Sequence, residues 1–150
     1  MKYFVILTSV ISLTINVSAQ TAEDSVKAVV NQLFDGMKNA NATLLLQTFA
    51  DSAIMQTITR TKEGKTYVQT EEVKDFADFV SKQSKGAADE RISIETIKID
   101  GPLAFVWAPY KFYFNGQFSH CGIDAFHLVR FNGGWKIQYL IDTRRKQGCD

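Results

Sequence analysis

Apolar residues from Thr21 onward recur at the spacing of an amphipathic helix. Val26, Val30, Leu33 and Met37 lie three or four positions apart, which predicts a helix with one buried stripe. Thr21 is a suitable N-cap, because its hydroxyl can accept a backbone N–H of the first turn. Glu23 and Asp24 lie in the first turn and favour the same helix start.

Two further helices are predicted in the first half of the chain. In a short one, Asp51-Ser52 marks the end, and one face is formed by Leu44, Leu45, Thr48 and Phe49. A third is predicted to begin at the N-cap Thr70 and to end at Gly86. Its apolar stripe consists of Val73, Phe76, Ala77 and Val80.

Strand patterns fill most of the remaining sequence. A strand at 53–60 and a short one ending near Gln69 precede the third helix. Four longer strands follow it, at 90–99, 103–114, 117–130 and 135–143. This order predicts an α+β fold, in which a strongly curved, mostly antiparallel sheet wraps on three helices of the N-terminal half.

Two Asn-Gly pairs, Asn115-Gly116 and Asn132-Gly133, predict tight hairpins between the last three strands. If both loops contain two residues, the register of the strands is fixed. The expected cross-strand neighbours are Lys111 with His120, Trp107 with Asp124, Phe105 with Phe126, Phe126 with Tyr139, Asp124 with Ile141, and Leu128 with Ile137.

This register puts the even-numbered residues of 120–128 on the face that the helices cover. A buried carboxylate without partners is costly, so Asp124 on that face predicts a cavity. The predicted lining consists of Phe105, Trp107, Lys111, His120, Asp124, Phe126 and Tyr139. A β-bulge at Ala108-Pro109 would displace Trp107 and Lys111 from it.

The opposite face of the same strands is also largely apolar. Its expected members are Val106, Tyr110, Phe112, Phe114, Ile123, Ala125, Val129 and Leu140, interrupted by His127, Lys136, Gln138 and Asp142. An apolar area of this size usually marks a partner surface. We therefore expect a homodimer formed through the outer face of the sheet.

The first nineteen residues have the layout of a secretory signal peptide. One basic residue, Lys2, precedes an apolar stretch that ends in Val17-Ser18-Ala19. Cleavage after Ala19 would leave 20–150 as a single domain in the periplasm or the extracellular medium. No membrane association is expected after cleavage.

Charge and cysteine content narrow the possible functions. Without Lys2 the basic and acidic residues balance, which disfavours nucleic acid as a partner. Cys121 and Cys149 form either a disulfide or two free thiols, and their spacing does not fit a zinc site. No nucleotide-binding loop, metal-ligand set or nucleophile triad is present, so no metal and no cofactor are expected.

The order helix, helix, hairpin, helix and long meander resembles the nuclear transport factor 2-like superfamily, which includes ketosteroid isomerase-like and polyketide cyclase-like proteins. The run FSHCGIDAFHLVRFNGGWKIQYLIDTRR, residues 118–145, is similar to secreted members catalogued as "Putative lumazine-binding". The resemblance implies a cone-shaped fold and a heteroaromatic ligand. It also implies that Asp124 could act as general acid or base on a carbon acid, with Tyr139 or His120 donating to the oxyanion.

Three functions are consistent with these residues. The first is a non-catalytic pocket for a small, largely apolar or heteroaromatic ligand, and the second is a carbon-acid isomerase or cyclase. The third is a dimeric interaction module whose pocket is vestigial. For Asp142 with Arg144 and Arg145, the sequence leaves open a solvated ion pair or an anion-binding site.

Overall fold

A computed structural model describes residues 21–149. The predicted signal peptide lies outside these residues. Within them the elements are α1 (Ala22–Lys38), α2 (Ala42–Leu46), β1 (Phe49–Arg60), β2 (Thr66–Glu71), α3 (Val73–Ser81), β3 (Ala88–Ile92), β4 (Thr96–Asp100), β5 (Leu103–Phe114), β6 (Gln117–Phe131) and β7 (Gly134–Thr143).

Helix α1 begins as the sequence predicts, whereas α2 and α3 differ in their bounds. Thr21 caps α1 in a capping box, in which its hydroxyl accepts the backbone N–H of Asp24. Helix α2 ends at Leu46, and Phe49 already belongs to β1. Thr70 is not the cap of α3, because it pairs with Gln56 in the β1–β2 ladder, and Glu72 takes the N-cap position.

The seven strands form one curled, unclosed sheet in the order β2-β1-β7-β6-β5-β3, with β4 also pairing with β5. The β1–β7 pair is parallel, and the other strand pairs are antiparallel. This architecture confirms the α+β fold expected from the order of the elements. No helix within 21–149 is both long and apolar enough to cross a membrane.

The core lies between α1 and the concave face of the sheet. The ring of Phe34 packs edge-on against that of Phe126, with centroids 6.2 Å apart. Phe126, Leu128 and Ile137 are completely buried. Burial of this kind is the main favourable contribution to folding, worth roughly 1.5–3 kcal/mol for each large apolar side chain.

The β5–β6 hairpin has the predicted two-residue loop, but its register changes three residues later. Asn115 and Gly116 both have positive φ, 49° and 76°, as a type I′ turn requires. A β-bulge then shifts the register between Phe112 and Tyr113, so that Phe112 lies opposite His120. The expected pairs of Lys111 with His120, Trp107 with Asp124 and Phe105 with Phe126 are therefore wrong.

The bulge reverses the faces of β5. Ala108 lies opposite Asp124, and Tyr110 lies opposite Gly122. The pairing continues through Pro109 without irregularity, so a bulge forms at the end of the hairpin and not at the position considered from the sequence. The even-numbered residues of β5, which were expected outside, face the helices.

A second register shift separates the two halves of β7. Leu128 lies opposite Ile137, as predicted, but His127 pairs with Tyr139 and skips Gln138. Leu140 therefore lies opposite Phe126, where Tyr139 was expected, and Asp142 lies opposite Asp124, where Ile141 was expected. The second hairpin also lacks the type I′ pattern, since its positive φ is at Gly134.

These shifts change the composition of the outer face. Val106, Tyr110, Phe112, Leu140 and Asp142 belong to the inner face instead of the outer one. Phe105 and Tyr139 lie on the outer side against His127, with ring centroids 5.4 and 5.9 Å from the imidazole.

The two cysteines are joined in a disulfide, Cys121–Cys149, with a Cα–Cα distance of 5.8 Å. It connects β6 to the segment that follows β7. Cys121 and Arg145 also exchange two backbone hydrogen bonds of 2.9 Å. The segment after β7 is thereby attached to β6 beside the inner acidic residues.

Candidate functional site

A cavity of about 290 Å³ lies between the helices and the concave face of the sheet. Its lining consists of Leu33, Phe34, Met37, Met55, Thr57, Glu71, Phe76, Phe79, Ala88, Glu90, Tyr110, Phe112, His120, Asp124, Leu140, Asp142 and Arg144. Glu71, Phe79 and Arg144 are exposed and mark where the cavity opens to solvent. The helices supply apolar walls, and the strands supply nearly all polar groups.

Only Asp124 and His120 of the residues predicted for the pocket line this cavity. Phe126 is on the same face but is buried in the core. Trp107 is 39% exposed and Lys111 is exposed, both on the outer side with Phe105. Tyr139 is also outside, and its hydroxyl donates to Oε1 of Gln56 at 2.7 Å.

Asp142, for which a solvated ion pair was one of two expectations, is only 8% exposed. Its Oδ1 accepts a hydrogen bond of 2.6 Å from the Thr57 hydroxyl. Its Oδ2 accepts one of 2.9 Å from Nε of Arg144 and lies 3.2 Å from the Tyr110 hydroxyl. Three donors from three segments therefore satisfy this buried carboxylate.

Arg144 contributes a guanidinium group to the lining of the cavity. Besides Asp142, its Nη2 donates to the Thr57 hydroxyl at 3.0 Å. Burial opposes the charged form of Arg144, but the hydrogen bond and the charge of Asp142 outweigh it and raise its pKa. Arg144 therefore remains charged and committed to Asp142.

Tyr110 reaches β7 because Gly122 leaves room for its ring. The hydroxyl lies 3.0 Å from the carbonyl oxygen of Thr143. A Cβ on Gly122 would lie 2.7 Å from ring carbon Cε1 of Tyr110 and 1.7 Å from that same oxygen. Burial, with the negative charges of Asp142, Glu90 and Asp124, raises the pKa of Tyr110, so the phenol stays protonated and can donate.

Glu90 and Asp124 form a carboxyl pair inside the cavity. Asp124 is 3% exposed, and within residues 21–149 no N–H or O–H group donates to its Oδ2. Both carboxyls line the same cavity, and the charge of Glu90 disfavours ionisation of Asp124, which favours a proton on one of the two. Burial raises the pKa of Glu90 to about 7. Burial and the charges of Glu90 and Asp142 raise the pKa of Asp124 well above its usual range.

His120 lies beside these acids as a neutral imidazole. Burial lowers its pKa, and the positive charge of Arg144 lowers it further. Its Nδ1 is 3.0 Å from the Ser119 hydroxyl. Its ring stands edge-on to that of Tyr110, with centroids 5.7 Å apart.

Glu71 completes the acidic groups at the end of β2. The residue as a whole is exposed, but partial burial of its carboxyl at the cavity raises its pKa despite the opposing charge of Arg144.

Within residues 21–149, no set of three His, Cys, Asp or Glu side chains is arranged to hold a metal ion.

Sequence reasoning missed Glu90, Tyr110 and Arg144 as cavity residues and placed Asp142 outside. One signal pointed to Tyr110, because a glycine inside a strand, here Gly122, often marks a close approach by a neighbour. For Asp142 and Arg144, the two-residue spacing places both side chains on one face of an extended segment. Nothing local in the sequence distinguishes the buried face from the exposed one there.

The sequence profile of the family described as "Putative lumazine-binding" matches residues 21–139. The chain therefore belongs to this family. A search of curated proteins gave no match.

Solved structures with the same fold come from several bacteria. A nuclear transport factor 2 (NTF2)-like protein of unknown function from Shewanella baltica OS155 has a TM-score of 0.64 at 17% identity, covering 83% of this chain and 94% of its own. An NTF2-like protein of unknown function from Methylobacillus flagellatus KT has a TM-score of 0.63 at 18% identity, with coverages of 89% and 99%. A domain of unknown function with a cystatin-like fold from Nostoc punctiforme PCC 73102 has a TM-score of 0.65 at 17% identity, with coverages of 87% and 82%. These likenesses establish the NTF2-like fold.

Proposed function

We propose that this protein binds a small molecule in the cavity between its helices and the concave face of the sheet. The observation that carries the proposal is the Asp124 carboxyl, which is 3% exposed, faces an apolar-walled cavity and has an oxygen to which no group of residues 21–149 donates. Buried polar groups are normally hydrogen-bonded. A ligand with an N–H or O–H group would satisfy this one.

The cavity volume limits the ligand to a small compound. A volume of about 290 Å³ lies at the small end of ligand pockets, which suits one or two fused rings. Leu33, Phe34 and Leu140 would cover the faces of the rings, and the carboxyl pair would bind their polar edge. The family description supports a heteroaromatic compound of this kind.

Native mass spectrometry of protein purified from an exporting host tests this proposal. We expect a retained small molecule on the wild type and none on Ala88→Phe, because Ala88 lines the cavity and a phenyl ring there would fill it. Ala125→Phe, on the outer side of β6, is the matched control and should retain the ligand. Equal retention by Ala88→Phe and the wild type would contradict the location of the site.

A second candidate is a carbon-acid isomerase or cyclase. It is favoured by the Glu90–Asp124 pair, since a carboxylate with a pKa near 7 is a stronger base than an ordinary one. Asp124, as first inferred, or Glu90 would abstract the proton. The protonated phenol of Tyr110 would take the place of Tyr139 as oxyanion donor, with His120 beside it, and its single O–H would have to turn from Asp142 and Thr143 to do so. Asp124→Asn separates the two functions, because binding should largely survive while proton abstraction collapses.

We also propose that the chain is exported and forms a homodimer through the outer face of the sheet. The signal-peptide pattern of residues 1–19 supports export, and N-terminal sequencing of the periplasmic protein should begin at Gln20.

Exposed apolar side chains on the outer side, such as Trp107 at 39% and Leu103 at 48%, support dimerisation. Sedimentation of the wild type as a monomer at micromolar concentration would contradict the dimer.

A further inference from the structure

The charges around the cavity are unevenly distributed among the elements that enclose it. The acids come from β2 (Glu71), β3 (Glu90), β6 (Asp124) and β7 (Asp142), with the phenol of Tyr110 on β5 and the imidazole of His120 on β6. Arg144, just after β7, is the only lysine or arginine in the lining formed by residues 21–149. Helices α1 and α3 contribute apolar side chains, and β1 contributes Met55 and Thr57.

Arg144 does not compensate all of these acids. Its Nε is 2.9 Å from Oδ2 of Asp142, and its Nη2 donates to Thr57. This geometry neutralises Asp142, while no lysine or arginine in the lining formed by residues 21–149 pairs with Glu90, Asp124 or Glu71. Because His120 is neutral, the cavity as a whole has a negative potential, which disfavours an anionic ligand.

We propose, on the basis of the ligand-binding function above, that the ligand is an organic base, with an apolar ring system and a protonated nitrogen that donates to Glu90 and Asp124. The nitrogen would supply the donor that Oδ2 of Asp124 lacks within the described part of the chain. On binding, the proton carried by one of the two carboxyls leaves to solvent, and the charge of the ligand takes its place. Charge-assisted hydrogen bonds of this type are stronger than neutral ones.

Exchange of that proton makes binding dependent on pH. Below the pKa of the pair, the ligand must displace a proton, so its affinity should rise by up to about tenfold for each pH unit. Burial raises the pKa of Glu90 to about 7 and that of Asp124 well above its usual range, so the affinity should become constant only once both carboxyls are ionised. A neutral ligand would not follow this dependence.

Three compounds that share one ring system test the proposal by isothermal titration calorimetry. They are naphthylmethylammonium, naphthylmethanol and naphthoate, each titrated into the wild-type protein between pH 5 and 8. We expect the ammonium compound to bind most tightly at pH 8, to weaken as the pH falls, and to release protons on binding. We expect the alcohol to bind more weakly and without pH dependence, and the carboxylate to bind weakest.

The outcomes separate this proposal from the general one. Equal or tighter binding of the alcohol or the carboxylate at pH 8 would overturn the preference for a base and leave the ligand-binding function intact. Absence of binding by all three compounds would contradict both.

Variants show whether the carboxyl pair is responsible. In Glu90→Gln/Asp124→Asn, the affinity for the ammonium compound should fall between about tenfold and a hundredfold, the range of one or two charge-assisted hydrogen bonds. Its affinity for naphthylmethanol should stay within about threefold of the wild type, which shows that the cavity is still formed. The control Glu95→Gln removes an exposed acid outside the cavity and should change neither affinity. A double variant that still preferred the ammonium compound would refute the assignment.

Discussion

The ring of Tyr110 passes over the backbone of Gly122 on the neighbouring strand, and this contact places its hydroxyl beside Asp142. Any side chain at position 122 would collide with the ring and with the carbonyl oxygen of Thr143. The glycine is thus a condition for the polar arrangement of the cavity.

Gly122→Ala should accordingly destabilise the protein. We expect a loss of about 3 kcal/mol in the free energy of unfolding, the upper end for an overpacked interior site, measured by urea denaturation. Gly133→Ala is the matched control, because a Cβ there has no atom within 4 Å. A Gly122→Ala protein as stable as this control would show that the close approach is absent.

Two tyrosines distinguish the observed cavity from the one expected from sequence. Tyr110→Phe removes a donor to Asp142. It should lower the free energy of unfolding by about 1–3 kcal/mol, as expected for a buried acceptor that loses a partner. It should also alter ligand affinity. Tyr139→Phe, whose hydroxyl bonds Gln56 on the outer side, should leave ligand affinity unchanged. A calorimetric titration of both variants with the same ligand measures this difference, and the reverse result would restore the sequence-based assignment of Tyr139.

The inner face of β6 could be predicted from sequence, and those of β5 and β7 could not. Alternation along 120–128 fixes which of its residues share a face, and the adjoining hairpins set the register near their loops. Leu128 with Ile137 was therefore placed correctly. A β-bulge adds one residue to a strand and exchanges its faces beyond that point, which is why Trp107 and Tyr139 were placed inside and Tyr110 and Asp142 outside.

Neither bulge has a clear local signal. Ser119 and Gln138, the residues skipped by the ladders, are ordinary strand residues. Glu90 was missed for a different reason, because its strand pairs with β5 over a long sequence separation. The three helices and the general order of the elements depend on local periodicity and were predicted, with different bounds for α2 and α3. The single strand expected at 90–99 is wrong, because the structure has two strands there, β3 and β4.

Stability should fall as the pH rises through the titration of the carboxyl pair. Because burial raises the pKa of Glu90 from 4.5 to about 7, the folded state binds more protons than the unfolded state between these values. The contribution of Glu90 to the free energy of unfolding is therefore complete below about pH 4.5 and is lost by about pH 7. It amounts to about 3 kcal/mol. Urea denaturation at a series of pH values should show this loss in the wild type and a smaller one in Glu90→Gln, and identical slopes would contradict it.

The disulfide should stabilise both the fold and the position of Arg144. Closing a loop with a sequence separation of 28 residues is worth about 3–4 kcal/mol in the chain-entropy description. Reduction of the wild type should lower the urea midpoint accordingly, and Cys149→Ser should show no further response to reductant. Two results together would show that the disulfide does not form. They are a urea midpoint that reductant does not change and two free thiols in the unfolded wild type when no reductant is present.

The location of the ligand is the central claim, and amide chemical-shift mapping by NMR tests it most directly. During titration with naphthylmethylammonium at pH 8, we predict saturable shifts at Ala88, Tyr110, Asp124 and Leu140, which line the cavity. Trp107 and Tyr139 on the outer side should not change. Shifts centred on Trp107 and Tyr139, with none at Asp124, would contradict the account.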